Sequence, residues 1–305
     1  MPDYQAHIIL FNDERYHRCN LRSGQRLFRH DHLVGNSLIG TLSGVVEDEV
    51  LDCGYRAPFG GIDCTRRRES AGAVLDLLRA ASTHARAEGI RDIRIRARPG
   101  YFGPNEFAAE FVLLNLGASI ESCELSLGLE PWRYRTPEEY LAALQPAERR
   151  AIRHGLRTGM VFVPAETARD WAGCYELLAE TKRRRGGGFR YSFDYVMMLR
   201  KTFGKRIAMH RLIQGGDLAG AALVYRVRRD WDCVAAWGDN LRHRQNRVMN
   251  VMAYQLVCEA IVQRVSIIDT GISSVSGVPD DGLVQFKRNI GGTTGLRLNF
   301  LLSLA

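Results

Sequence analysis

The strongest constraint in this sequence is a change of apolar period that recurs along the chain. Short runs with every second residue apolar alternate with runs whose apolar residues fall three and four apart, and Gly, Pro and Asp punctuate them. The first period buries one face of a strand and the second one stripe of a helix. The chain therefore specifies an α/β (α+β) fold of mixed sheets flanked by helices.

Residues 36–53 alternate about Glu47-Asp48-Glu49 and predict a hairpin. The stretch 67–88 carries Ala73, Leu77, Leu78, Ala81 and Ala85 at helical spacing, and Gly89 stops it. A strand is expected at 92–97, a short helix capped by Asn105 and reaching Asn115, and a further strand at 118–129. These make a first unit, 1–135. A single basic helix, 136–158, is expected to bridge to the next unit, with Arg149, Arg150, Arg153, His154 and Arg157 crowding its second half.

The second unit, 159–305, reads as strand 160–164, helix 168–185, a Gly186-Gly187-Gly188 loop, helix 192–203 and strands 206–214, 218–227 and 232–238. A long helix 246–264, a strand 266–270, a short helix 283–289 and a strand 295–302 follow, the last expected to pair into a sheet. That order is the order of an acetyltransferase fold.

Charge separates the two halves. Residues 1–150 hold 19 Lys+Arg against 21 Asp+Glu, whereas residues 151–305 hold 23 against 13. A field of that sign attracts phosphate-rich molecules such as nucleic acid or a nucleotide-containing cofactor, the alternative being a solvated basic surface. The seven cysteines are scattered without a CxxC pair, the usage of a reducing compartment. The first residues lack a secretory pattern and no run of eighteen apolar residues occurs, so a cytoplasmic protein is expected. His30 and His32 alternate as strand neighbours, but further ligands at zinc spacing are missing, so no metal is expected.

Two short motifs carry a resemblance. Pro58-Phe59-Gly60-Gly61, and Gly282-Leu283-Val284-Gln285-Phe286-Lys287-Arg288-Asn289-Ile290-Gly291-Gly292, resemble the Fem-type (FemAB-like) branch of the acetyltransferase (GNAT) superfamily. Asp269-Thr270-Gly271 and the small-residue run Ala219-Gly220-Ala221-Ala222 agree with it. The resemblance implies two tandem acetyltransferase folds. Several members of that branch move an amino acid from aminoacyl-tRNA to an amine, forming an amide. It also implies an acyl donor held in a V between the strands 218–227 and 232–238, and an acceptor held by the first unit.

On that resemblance Lys287 is the catalytic candidate, a compact ammonium beside the oxyanion of acyl transfer. Its type is mildly informative, because the chain has 38 arginines and four lysines. Asp269 either orients the amine or is structural. Phe286 and Trp237 are donor-binding candidates, Trp237 packing either against an acyl group or an adenine or in the core. Simple acetyltransferases bind the coenzyme A pyrophosphate on a glycine-bearing loop before the central helix. Here that place reads Arg242-His243-Arg244-Gln245-Asn246-Arg247, without glycine. Arg242, Arg244, Asn246 and Arg247 are therefore expected to grip a sugar-phosphate backbone, which favours aminoacyl-tRNA over acyl-CoA and requires no resident cofactor. Arg56, Phe59, Asp63 and Tyr101 are the acceptor candidates. An acyl-CoA N-acyltransferase and a non-catalytic RNA- or partner-binding protein are the alternatives.

Overall fold

The structure, a computed structural model, describes residues 8–65 and 70–304, with Pro104 described by its backbone alone. In chain order the first elements are α1 (Glu14–Asn20), β1 (Arg26–Val34), β2 (Ser37–Glu47), β3 (Val50–Cys53), β4 (Ile62–Cys64), α2 (Ala71–Ala87), β5 (Asp92–Arg96), α3 (Pro104–Asn115) and β6 (Ser119–Leu129). There follow α4 (Pro137–Ala143), α5 (Pro146–Arg157), β7 (Val161–Pro164), α6 (Ala168–Arg184), α7 (Phe193–Phe203), β8 (Ile207–Gln214), β9 (Asp217–Arg228) and β10 (Trp231–Asp239). The last are α8 (Val248–Gln263), β11 (Ile267–Ile272), β12 (Ser274–Val275), β13 (Val278–Pro279), α9 (Asp281–Asn289) and β14 (Thr293–Ser303).

Packing divides the chain into two units that interleave along the sequence. Unit 1 is Met1–Ser126, Ile272–Asp280 and Thr294–Ala305, and unit 2 is Leu127–Gly271 and Asp281–Thr293. Two segments beyond residue 159 thus belong with the first unit, a division different from the linear one expected. The reason for the second is plain in β14. It pairs antiparallel with β5, and its Leu298, Phe300 and Leu302 complete the apolar core of unit 1.

Unit 1 has the strand order β1-β2-β3-β5-β14-β6, with β4 on β2, and mixes antiparallel pairs with the parallel pair β3/β5. Helix α2 covers it with Val74, Leu77, Leu78, Ala81 and Ala85, the face read from the sequence. Residues 67–69 of the expected helix lie outside the described residues, and the helix is capped by Ser70, whose side chain accepts from the Ala73 N–H. The expected cap of α3 is corrected: Pro104 opens that helix and Gly103, not Asn105, precedes it. A proline fits the first helical position because its missing donor has no partner there.

Unit 2 has the strand order β11-β10-β9-β8-β7, antiparallel except for β10/β11. The β8–β9 turn takes Gly215 and Gly216 at φ 59° and 88°, the left-handed pair that matches strand twist. Helix α8 packs close to β9 because β9 is small there. A Cβ on Gly220 would stand 2.7 Å from Val248 Cγ1. The single helix expected at 136–158 is two helices, corrected by Pro146: Leu144 and Gln145 turn extended and α5 starts afresh. Both helices belong to unit 2 and pack on α8, so they form part of its body and are not a bridge.

Candidate active site

Helix α9 delivers Lys287. Its side chain is 1% exposed, and Nζ donates to the Gly271 carbonyl at 2.7 Å. The motif around it fixes this placement. Gly291, at φ 86°, ends the helix in the left-handed region, and the Gly292 N–H returns to the Lys287 carbonyl at 2.9 Å. A Cβ on Gly292 would lie 2.6 Å from that carbonyl oxygen, so a side chain there would displace the turn carrying the lysine. Tyr140 of α4 donates its hydroxyl to the Ile290 carbonyl at 2.8 Å and ties down the same helix end.

The other half of the site is the end of β11. Asp269 is fully buried; its Oδ1 accepts from the Gly271 N–H at 3.1 Å and its Oδ2 from the Cys233 thiol at 3.4 Å. The Thr270 hydroxyl donates to the Leu127 carbonyl at 2.6 Å. Asp269 therefore holds the turn that Lys287 grips, a positioning task, and the expectation that it meets the amine gains no support from its burial.

The V lies one strand over from where it was expected. Strands β9 and β10 stay paired from Trp231↔Arg228 to Asp239↔Gly220, with two bulges. Strands β10 and β11 pair only over Trp231↔Ile267, Asp232↔Ile268 and Cys233↔Asp269, after which they part. The parting opens past Asp269 and Cys233, the two residues whose side chains meet across it. Beyond it Trp237 of β10 and Phe286 of α9 meet edge to face, centroids 5.8 Å apart. Lys287, Asp269, Phe286 and Trp237 are thus brought together.

The segment 241–246 forms a 3-10 turn leading into α8. Arg247 adopts the left-handed conformation at φ 61°, and α8 begins with no side-chain cap. Asn246 is used internally: its Nδ2 donates to Gln214 Oε1 at 3.0 Å, beside His243 Nδ1 at 2.8 Å from the same oxygen. Gln214 organises this loop and was not singled out in the sequence, where a glutamine ending a strand carries no signal. Arg242, Arg244 and Arg247 are exposed. Helix α5 closes on the same place, since a Cβ on Gly155 would lie 2.7 Å from the Asn246 carbonyl, and it adds exposed Arg150, Arg153 and Arg157. None of these six arginines has an acidic partner among the described residues, whereas Arg94, Arg96 and Arg98 of unit 1 are all ion-paired.

The acceptor candidates fall in unit 1 and are put to different uses. Asp63 is buried and accepts from the Ile9 N–H, Asn12 Nδ2 and Arg98 at 3.0, 2.9 and 2.7 Å. Phe59 is fully buried against Phe11 and Phe102. The glycines after it serve packing. A Cβ on Gly60 would meet Asn12 Oδ1 at 2.8 Å, and one on Gly61, at φ 109°, would meet Cys53 Cβ at 2.6 Å. The Pro-Phe-Gly-Gly motif is therefore a packed corner. Tyr101 is half-buried with its hydroxyl 2.8 Å from Ser126 Oγ, and Arg56 is exposed, its carbonyl accepting from the Tyr16 hydroxyl at 2.8 Å.

Residues 147–288 match the family model described as an acetyltransferase (GNAT) domain. No curated protein sequence matches the chain. Among solved structures it is similar to FemX, with a TM-score of 0.75 at 12% identity, covering 98% of this chain and 94% of that one. It is also similar to the C-terminal domain of a putative lysylphosphatidylglycerol synthetase from Agrobacterium fabrum, with a TM-score of 0.53 at 10% identity, covering 90% and 84%. The third is L-PGS from Bacillus licheniformis, with a TM-score of 0.53 at 10% identity, covering 87% and 81%. The fold is thus a Fem-like one of the acetyltransferase type.

Proposed function

We propose that this chain is an aminoacyltransferase that takes its aminoacyl group from tRNA and joins it to an amine of a small metabolite, peptide or peptidoglycan precursor. The observation that carries the reading is the buried Lys287 ammonium, held on the Gly271 carbonyl at the parting of β10 and β11. The acceptor nitrogen attacks the ester carbonyl, the new C–N bond forms and the C–O bond to the ribose breaks. The amine's proton leaves with the ribose oxygen or passes to solvent. Charge collects on the carbonyl oxygen between the two events. A point ammonium in a dry site stabilises that charge far more than it would in water.

The six unpaired arginines around the start of α8 support tRNA as donor, since a polyphosphate backbone can engage more cations than a compact nucleotide offers. In one of the neighbours, a putative lysylphosphatidylglycerol synthetase, the name itself joins a lysyl group to phosphatidylglycerol, which is in keeping with aminoacyl transfer on this fold. Arg56, exposed, is the acceptor candidate suited to an anionic group. A second reading, acyl-CoA-dependent N-acylation, is favoured by one feature: α8 starts with no side-chain cap, which leaves its first-turn amides available to a pyrophosphate. Among the described residues no helix is long and apolar enough to cross a membrane.

Incubation with a charged tRNA pool and, separately, with labelled acetyl-CoA, each with a mixture of amines, tests the assignment. Amine-dependent deacylation of tRNA supports it. Consumption of acetyl-CoA with tRNA left charged overturns it in favour of the second reading.

A further inference from the structure

We propose that unit 2 carries a second small-molecule site, under the C-terminal half of α8, that binds a free α-amino acid or a zwitterion of the same shape. The 16 residues of α8 run about 24 Å. The parting of β10 and β11 faces its first turns, and the pocket lies at the opposite end, between its last turns and the starts of β8 and β10.

The pocket holds an ordered chain of polar groups that stops one partner short. Asp232, buried, is held by Arg226, with Oδ2 3.3 Å from its NH2 group. Arg226 donates to Gln263 Oε1, and Gln263 Nε2 donates to Glu259 Oε1 at 2.7 Å. The chain ends at Glu259 Oε2, which lies 3.4 Å from His210 Nδ1. That nitrogen is buried and makes no hydrogen bond. Phe162 stacks on the imidazole, centroids 5.0 Å apart and planes 6° apart, and fixes its plane. Burial, reinforced by the nearby Arg226, lowers the His210 pKa to about 4, so at neutral pH the ring is uncharged.

These groups define the ligand. Arg226 neutralises Asp232, while Glu259, whose pKa burial raises against the pull of Arg226, faces a neutral imidazole. A group that donates to Glu259 Oε2 beside that ring, and that carries positive charge, is a primary ammonium. The pocket's other cations differ in their use. Arg206 donates to the carbonyls of Arg226 and Val227, whereas the exposed Lys205 has no acidic partner among the described residues and suits a carboxylate. Val224, Leu256 and Ala260 form an apolar floor that accepts a small side chain.

The test is calorimetric titration of the full chain, without any acyl donor, with glycine and L-alanine and with two partial ligands, ethylamine and L-lactate. Saturable binding of an amino acid is expected, with ethylamine and lactate each weaker by about tenfold or more, the scale of one lost charged hydrogen bond. Glu259→Gln, which keeps the bond to Gln263, should weaken binding by about the same factor, and Lys205→Ala should weaken it less. Circular dichroism confirms that each variant is folded. Lys287→Met should bind as the parent does, so this result stands or falls apart from the proposed reaction. Absence of saturable binding at millimolar concentration, or binding unaltered by Glu259→Gln, overturns the proposal.

Discussion

Lys287 and Asp269 hold opposite ends of one residue: the ammonium takes the Gly271 carbonyl at 2.7 Å, and the carboxylate takes its N–H at 3.1 Å. Gly271 sits at φ 78°, a conformation that side chains disfavour, so the peptide between strand and loop is set by the backbone and clamped by two charged groups. Removing the carboxylate should therefore act through the turn. Asp269→Asn retains an acceptor for the Gly271 N–H, while Asp269→Ala leaves it without one. We expect the Ala variant to be destabilised by about 1–3 kcal/mol relative to the Asn variant, measured by urea unfolding. Equal stability of the two would show that the Asp269 contact does not hold the turn.

Asp63 was expected at an acceptor site and instead joins Arg98 and Glu106 inside unit 1, with Arg98 Nε 2.9 Å from Glu106 Oε1. Breaking a buried pair strands its partner. Asp63→Ala should cost about 3–5 kcal/mol of stability. Enzyme that remains folded should keep its acceptor KM. A stable Asp63→Ala protein with a raised KM would restore the carboxylate to acceptor binding.

The arginines flanking the start of α8 make an ionic-strength prediction. Each phosphate contact contributes nearly one unit to the slope of log affinity against log salt. Replacing Arg242, Arg244 and Arg247 together by Ala should weaken tRNA binding and reduce that slope by about 2–3, read by filter binding over a salt series. A slope unchanged in the triple variant would place the RNA elsewhere.

Much of the fold was legible because apolar period is local information. The stripe of α2 and the alternation of β14 were plain, and the terminal glycines of α9 marked its end. The errors arose where partners distant in sequence decide. The apolar positions Tyr140, Leu144 and Ile152 continue a helical stripe across Pro146, yet the chain restarts there. The core-facing residues of β14 do not reveal which core receives them. A strand's composition does not say whether its neighbour stays paired, so the V was placed beside β9 although β10 and β11 are the strands that part. In the same way, a buried paired carboxylate such as Asp63 and one awaiting a substrate read alike in sequence. Lys287 was legible because its type is scarce and its glycines are specific.

Two buried groups at the far end of unit 2 oppose one another in pH. Burial raises the Asp232 pKa to about 6 against the pull of Arg226, and lowers that of His210 to about 4. Between the unfolded and folded pKa of Asp232, from about 4 to about 6, the native state holds the extra proton and stability falls as pH rises. For His210 the unfolded state holds it from about pH 4 to about 6.5, and stability rises. The two trends offset each other. In His210→Phe the rise is lost, so the variant should lose stability relative to the parent as pH goes from 4 to 6.5, by about 3 kcal/mol at most. Urea unfolding at both ends of that range measures it, and a pH-independent difference would mean that His210 titrates normally.

Lys287 gives the sharpest test, because a buried lysine can serve either the fold or the reaction. If its ammonium meets the oxyanion, Lys287→Met should slow single-turnover transfer by about 100-fold or more, the scale of one lost oxyanion donor, with donor binding little changed. Lys287→Arg should be impaired as well, since a planar guanidinium does not place its charge where a compact ammonium did. A lysine that serves only to close the Gly271 carbonyl predicts a different pattern. The Met variant would then melt lower by an amount set by one unsatisfied carbonyl, about 1–3 kcal/mol, and its folded fraction would turn over normally. Thermal melting and single-turnover rates on the same preparations separate the two, because the first variant loses rate without a proportionate loss of fold and the second loses fold without rate. Near-parental chemistry in folded Lys287→Met would remove the ammonium from the mechanism, and the polarising group would then have to be sought among backbone amides at the parting of β10 and β11.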